Sequence, residues 1–337
     1  MPLELNQEKF IPRIETELKQ FLSAQSFRSA LEMKHMISYH MGWEDSGKHG
    51  KRIRPLLTLL CTGALNGDIN DAMPAAISVE FLHNFTLIHD DIEDRSALRH
   101  GRETVWKRWG IAQAINAGDA LFCISQLAML ELSNTLGAEI AAKAAYEFNQ
   151  MSFHLTQGQY LDMAHEADEN FELDTYFSII NGKTAALISF CAALGGIVTG
   201  QDNRILESIS SYGKYLGMAF QMQDDYLGIW GDPNVIGKST STDLQTKKKT
   251  LPVLFGLKHS EDFKELWEIE DPSPGDISIM AKALEASGAK TFVSQHVAKF
   301  TNQAFDALDA SFNHTQNKST FVVALHELSE KLIQRTK

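Results

Sequence analysis

Two acidic clusters carry the strongest chemical signal in the chain. The first, Asp90, Asp91 and Asp94, stands in the run HDDIED. On a helix, positions 90 and 94 lie one turn apart on the same face, with 91 beside them. Carboxylates gathered in this way repel one another unless a cation joins them. All-oxygen donors suit a hard divalent ion, and Mg²⁺ commonly binds through a few carboxylates together with substrate phosphate. The second cluster, Gln221, Asp224 and Asp225, lies in GMAFQMQDDYLG, where 221 and 225 share a face. Either cluster alone also reads as a solvated acidic helix end. Both close apolar runs, and the second reads as a copy of the first, an opposing wall for the same metal cluster.

Basic residues alternate with these clusters. Lys51, Arg52 and Arg54 precede Pro55, which confines Arg54 to extended backbone. Arg95, Arg99 and Arg102 trail the first cluster, and Lys183-Thr184 follows Asn181-Gly182 inside an apolar stretch. Lys238, Lys247, Lys248 and Lys249 follow the second cluster. Singly, each reads as a solvated surface charge. Together with the acids they describe a site for polyanionic phosphate, held by cations and by metal-bridged carboxylates. P-loop, dinucleotide-binding, HExxH and GxSxG signatures are absent, and the 12 histidines show no ligand spacing.

The elements that position these groups read as helices. Phe10, Ile14, Leu18 and Leu22 recur at helical spacing. Residues 75–94 are apolar around the whole circumference until the acidic end, which describes a buried central helix. Residues 112–132, 139–163, 175–198, 205–230 and 277–308 read as further helices. Sustained period-2 alternation and an Asn-Gly or Asp-Gly hairpin signal are missing, so no strand is expected. The clear loops are 46–50, 232–250 and 271–275, marked by Gly, Pro, Asp and Ser. A length of 337 residues suggests roughly two domains, but no linker divides the chain, and the reading is one all-α domain over 1–337.

Composition narrows the class. The chain is 44% hydrophobic and 22% charged, as globular domains are. With 31 Lys+Arg against 43 Asp+Glu, the net charge of 31 − 43 = −12 is opposite to that of a general nucleic-acid binder. Cys61, Cys123 and Cys191 are scattered and odd in number, which points to a reducing compartment rather than a disulfide framework. The N-terminus is polar and mixed in charge, unlike a signal peptide. The longest nearly apolar stretch, 187–198, falls short of the about 20 residues that span a bilayer. A cytoplasmic protein with no transmembrane segment is expected.

At this point the motifs are recognisable as a set. In order from Gly50 to Pro252 they are GKRIRP, EFLHNFTLIHDDIEDRSALRHG, INAGDALF, GQYLD, the Lys-Thr pair, GMAFQMQDDYLGIWGDP and IGKSTSTDLQTKKKTLPV. The chain resembles the trans-isoprenyl diphosphate synthases, also called polyprenyl synthetases. The resemblance implies an all-α isoprenoid synthase-type bundle of many helices around a deep apolar cavity, in a homodimer. It implies an Mg²⁺-dependent head-to-tail condensation of isopentenyl diphosphate with an allylic prenyl diphosphate, whose diphosphate leaves as pyrophosphate. Position by position, Asp90, Asp91 and Asp94 match the first metal motif, and Asp224 and Asp225 the second. Lys51, Arg54 and His83 match the isopentenyl diphosphate pocket. Arg99, Lys183, Thr184, Gln221, Lys238 and Lys248 match contacts to the allylic diphosphate, with Lys183 also counted among the catalytic residues. Gln159 and Asp162 resemble a supporting site near the metals.

Three departures stand out. The third aspartate of the second motif is Gly228 here. The family's Arg-Arg pair reads Arg99-His100, with Arg102 as a candidate substitute, and Glu103 and Trp106 replace a commoner Pro and His. Phe85 and Thr86, five and four residues before Asp90, match the floor that limits chain growth. One aromatic and one small residue there resemble the geranylgeranyl pattern, with farnesyl next. Two other functions stay open at this level: a class I terpene cyclase on the same fold, and a non-catalytic regulatory subunit of a synthase. A cyclase has no use for the second diphosphate pocket of Lys51, Arg54 and His83, and intact acidic motifs weigh against a regulatory subunit.

Overall fold

Apolar residues at every third or fourth position close the N-terminus into α1 (Pro2–Ala24), which buries Phe10, Ile14, Leu18 and Leu22. The computed structural model describes residues 1–44, 50–165, 171–231, 242–312 and 319–334. Almost all of the elements are helices: α2 (Leu31–His40), α3 (Ile53–Ala64), α4 (Ile69–Glu93), a two-stranded hairpin of β1 (Leu98–Arg99) and β2 (Arg102–Glu103), α5 (Val105–Trp109), α6 (Ile111–Leu130), α7 (Leu132–Thr135) and α8 (Ala138–Ala164). There follow α9 (Leu173–Ile180), a π-helical turn (Asn181–Ala185), α10 (Ala186–Val198), α11 (Asn203–Trp230), α12 (Thr242–Gln245), α13 (Leu251–His259), α14 (Glu261–Trp267), α15 (Pro274–Ala286), α16 (Ala289–Phe312) and α17 (Thr320–Ile333). The all-α expectation holds.

Contacts divide the chain into two compact units. The first comprises Met1–Phe148, Cys191–Asp202 and Lys318–Leu325, and the second Asn149–Phe190, Asn203–Asn317 and His326–Lys337. In the first, α4 packs against α1, α3 and α6. Its capping Asp68 accepts from the Asn70 amide at 2.7 Å, so α4 begins ahead of the expected residue 75. In the second, α11 lies along α16, and Ile229, Leu244, Val253, Phe263, Met280, Leu284 and Ala289 form an apolar cluster. The three cysteines are free thiols.

Four expectations change. Residues 277–308 do not form one helix: Gly288, at φ +91°, ends α15 and sets α16 on a new course, a backbone state that suits glycine. A hairpin exists, because His100 (φ +51°) and Gly101 (φ +76°) supply two consecutive left-handed residues in place of the usual Asn-Gly pair. Arg54 is helical, not extended. Pro55 falls in the first turn of α3, where a missing N–H costs no hydrogen bond, and the irregular residue is instead Arg52, left-handed at φ +48°. Finally, two helical runs, Ile111–Thr135 and Leu173–Val198, reach the length and apolarity of a membrane span. The expectation stopped at 187–198, whereas the helix continues back through Lys183. Length and composition alone are weak grounds, since 61% of the apolar window in Leu173–Val198 is buried inside the fold, as in any core helix.

Arg52 anchors the start of α3. Its Nε donates to Glu15 at 2.6 Å, Nη1 to Glu80 at 2.7 Å and Nη2 to the Met41 carbonyl at 3.1 Å, all with the guanidinium buried. Trp43 also donates to Glu15, and Asn84 to Glu80. This network holds a strained residue between Lys51 and Arg54. Replacing Arg52 with Met strands two carboxylates, one of them fully buried, and is expected to cost about 3–5 kcal/mol. Denaturant unfolding measures the loss; a cost under 1 kcal/mol would remove Arg52 from its anchoring role.

Candidate active site

In the first unit, the C-terminal turn of α4 presents the first acidic cluster, and its three members differ. Asp91 is 2% exposed. Arg99 on β1 clamps it, with Nε 3.0 Å from both carboxylate oxygens and Nη2 2.9 Å from Oδ1. The hairpin that delivers Arg99 is tied down at its base, where Thr104 Oγ1 and Trp106 Nε1 donate to the Ser96 carbonyl at 2.8 and 2.9 Å. Trp106, a departure from the family pattern, thus has a defined structural task. Asp90 is half-buried, and Asp94, the cap of α4, is exposed.

One turn and more upstream on α4, His83 receives a hydrogen bond at Nε2 from Arg54 Nη1 at 3.0 Å. Arginine can only donate, so the imidazole accepts there and is neutral. Burial first, and then the charges of Arg54 and Arg99, hold its pKa well below the ordinary histidine value. Lys51 is exposed at the start of α3. Phe85 packs on His89, with ring centroids 4.8 Å apart, and on Phe122 of α6 at 5.2 Å. Thr86 turns its hydroxyl back to the His83 carbonyl at 2.8 Å.

In the second unit, close backbone approach sets the site. A Cβ on Gly158 would lie 2.4 Å from the Lys183 nitrogen, and one on Gly217 would lie 2.6 Å from Ala185 Cα. The π-helical turn is therefore pinned between α8 and α11, a kind of irregularity often found at functional sites. It aims Lys183 Nζ at Asp162, 2.7 Å away. Burial works against the Asp162 charge, but Lys248 and Lys183 outweigh it and keep the carboxyl below its usual range. The next residue, Thr184, donates to Gln221 Oε1 at 2.8 Å, and Gln221 Nε2 donates to Asp225 Oδ1 at 3.0 Å. Asp225 Oδ2 accepts from the Tyr176 hydroxyl at 2.7 Å and the Leu251 amide at 3.1 Å. Burial still pushes its pKa up to about 6 against these hydrogen bonds. Asp224 beside it is exposed, as is Lys248, and Gln159 is half-buried. Lys247 is turned to the Trp267 carbonyl and ring. Lys238 lies outside the described residues.

At Gly228 a Cβ would fall 2.4 Å from Asp243 Oδ2. A carboxylate from α12 therefore fills the space where the family's third aspartate would begin. Asp243, Tyr176 and Phe122 escape sequence reading. The first stands inside the quoted run TDLQTKKK and Phe122 closes the quoted run INAGDALF, while Tyr176 carries no signal apart from helical spacing.

Among the described residues no three of His, Cys, Asp and Glu form a ready-made metal cage. Mg²⁺ does not need one, since it keeps several waters and binds through one or two carboxylates plus phosphate. The donors fit that ion: each acidic motif offers hard carboxylate oxygens, those of Asp90, Asp91 and Asp94 in the first unit and those of Asp224 and Asp225 in the second.

The profile of the polyprenyl synthetases matches residues 35–286. The chain belongs to that family. A farnesyl diphosphate synthase of Mycobacterium bovis is 34% identical over 289 residues, 81% of this chain and 79% of that protein. A geranylgeranyl diphosphate synthase of Mycobacterium tuberculosis is 39% identical over 238 residues, 68% of this chain and 67% of that one. Among solved structures, geranylgeranyl pyrophosphate synthetase from Pyrococcus horikoshii superposes with a TM-score of 0.87 at 27% identity, covering 99% of this chain and 98% of the other. The all-α isoprenoid synthase fold follows, and with it an enzyme of the prenyltransferase class, a short-chain trans-prenyl diphosphate synthase. Through its hydroxyl Tyr176 is an outer partner of the second acidic motif in this chain. Tyr176→Phe is expected to lower kcat about tenfold and to raise the metal concentration needed for half-maximal rate. Steady-state kinetics across a metal titration tests this, and wild-type behaviour in both would make Tyr176 a packing residue only.

Proposed function

We propose that the protein elongates an allylic diphosphate with isopentenyl diphosphate in the presence of Mg²⁺, with geranylgeranyl diphosphate as the main product and farnesyl diphosphate next. The observation that supports this reading is the Arg54–His83 pair, a guanidinium donating to a neutral imidazole on the acid-tipped α4, which suits a second anion. A cyclase that ionises a single diphosphate has no task for it. Lys51, Arg54 and His83 hold isopentenyl diphosphate. Arg99, Lys183, Thr184, Gln221 and Lys248, with Lys238, are assigned to the allylic diphosphate. Each acidic motif, Asp90, Asp91 and Asp94 in one unit and Asp224 and Asp225 in the other, would hold Mg²⁺, which when bound stabilises negative charge on the leaving diphosphate. The bound cations Lys183 and Lys248 add to that stabilisation and orient the leaving group. Apolar helix faces exclude water from the allylic cation until the isopentenyl double bond attacks it. The proton then lost goes to the departing pyrophosphate.

Incubation with Mg²⁺, labelled isopentenyl diphosphate and dimethylallyl, geranyl or farnesyl diphosphate is expected to give a labelled prenyl alcohol after phosphatase treatment. Starter consumed without label would indicate a cyclase, and no turnover would favour a regulatory subunit. Asp90→Ala and Asp224→Ala should each lower turnover by roughly a hundredfold or more, whereas a near-normal rate in either would sink the two-motif reading.

Chain length is assigned to two rings rather than one. Phe85→Ala should lengthen the products, and Phe85→Ala with Phe122→Ala should lengthen them further. Chromatographic sizing reads the outcome; an unchanged spectrum in the double variant would move the floor elsewhere.

A homodimer is part of the proposal. Ile111, Ile115, Leu127 and Leu130 of α6 are exposed, and so is Tyr146 of α8. A second copy covering this apolar surface would account for the composition of Ile111–Thr135 without a membrane. Light scattering should report twice the chain mass, and Leu127→Asp with Leu130→Asp should shift it toward the monomer.

A further inference from the structure

His40 is the last residue of α2, and guanidiniums converge on the backbone at both sides of it. Arg102 Nη1 donates to the Tyr39 carbonyl at 3.0 Å and Arg52 Nη2 to the Met41 carbonyl at 3.1 Å. Arg102 and Arg108 also lie over the Tyr39 ring, 5.0 and 4.7 Å from its centroid. The hairpin that carries Arg99, His100 and Arg102 is fastened to α2 where the Tyr39 hydroxyl donates to the Glu103 carbonyl at 2.9 Å. In these surroundings His40 Nε2 is buried and makes no hydrogen bond among the described residues. Burial first, and then the charges of Arg99, Arg102, Arg52 and His100, lower its pKa to about 3, so the ring is neutral. His83, the neutral ring already placed in the isopentenyl diphosphate pocket, feels Arg99 and Arg52 in the same way and feels His40 as well.

A neutral imidazole with its proton on Nε2 is a donor, and a buried donor without an acceptor is unfavourable. The groups gathered around this one are cationic, which favours an anionic acceptor there. The position has a further logic. Where the family places a second arginine after Arg99, this chain has His100, held at φ +51° in the hairpin turn. The positive charge missing at residue 100 is found two residues later at Arg102, on the strand that faces α2.

We propose that His40 is a further diphosphate-binding residue of the isopentenyl diphosphate pocket, donating from Nε2, and that His40 and Arg102 together stand in for the arginine replaced by His100. This rests on the assignment of that pocket made above. It predicts that the sequence surrounding the pocket varies as a set: a chain with arginine at 100 can dispense with the donor at 40.

The test measures isopentenyl diphosphate binding to the full-length protein by calorimetry, without an allylic substrate, so that no turnover occurs. His40→Leu keeps bulk and removes the donor, and it should weaken binding about tenfold or more, the worth of one hydrogen bond to a charged group. His40→Gln, which retains a donor, should recover much of that affinity. His40→Leu combined with His100→Arg should recover it too, a rescue that a merely structural role would not give. Dimethylallyl diphosphate, titrated into the same variants, should bind as it does to the wild type. Wild-type affinity in His40→Leu overturns the inference alone, as does a loss that His40→Gln and His100→Arg both fail to restore, or an equal loss for dimethylallyl diphosphate. Failure of the wild type itself to bind isopentenyl diphosphate overturns the pocket assignment, and the inference with it.

Discussion

The clamp of Arg99 on Asp91 is the contact on which the first half of the site depends. A helix that ends in three carboxylates is unstable against its own repulsion. Satisfying one of them with a guanidinium, and burying that carboxylate, leaves Asp90 and Asp94 as the acids nearer to solvent. The clamp also explains a small hairpin in an otherwise helical chain. The chain reverses just after α4 through Arg95, left-handed at φ +51°, and β1 then carries Arg99 back to Asp91, while the turn through His100 and Gly101 pairs β1 with β2. The same division recurs in the second unit by other means. Asp225 is held by a hydroxyl, an amide side chain and a backbone N–H, and Asp224 stands beside it exposed. In each motif one carboxylate is buried and held by protein donors, and a neighbouring one is more exposed.

Helices were legible from sequence wherever apolar spacing was regular and punctuation was absent, as along α1, α4 and α11. The readings that change do so for local reasons. Gly288 is a single residue within an uninterrupted helical pattern, so nothing in the periodicity separates α15 from α16. His-Gly is a rare pair for a two-residue hairpin. Pro55 excludes helix for its predecessor on average, but the first turn of a helix is the place where that preference is weakest.

Site chemistry divides in a similar way. Charged groups in short runs, such as Asp90, Arg99, Lys183 and Asp224, stand out in a linear reading. The groups that orient them do not, because their relation is purely spatial. Tyr176 reaches Asp225 across 49 positions, and Thr184 reaches Gln221 across 37. Gly158 and Gly182 are ordinary letters until the backbones of α8 and the π-helical turn are seen to touch. Lys183 depends on that contact for its aim.

The carboxylate of Asp243 against Gly228 bears on how the chain could be redesigned. A comparison of motifs alone marks Gly228 as a lesion and invites its repair to aspartate. The repaired side chain would meet the Asp243 carboxylate, which would have to swing aside, and would set a second negative charge beside the first. A change at 228 is therefore a change in the surroundings of Asp243 as well. What this corner can hold is decided by a pair of positions on two helices, and a motif written along one helix records only half of it.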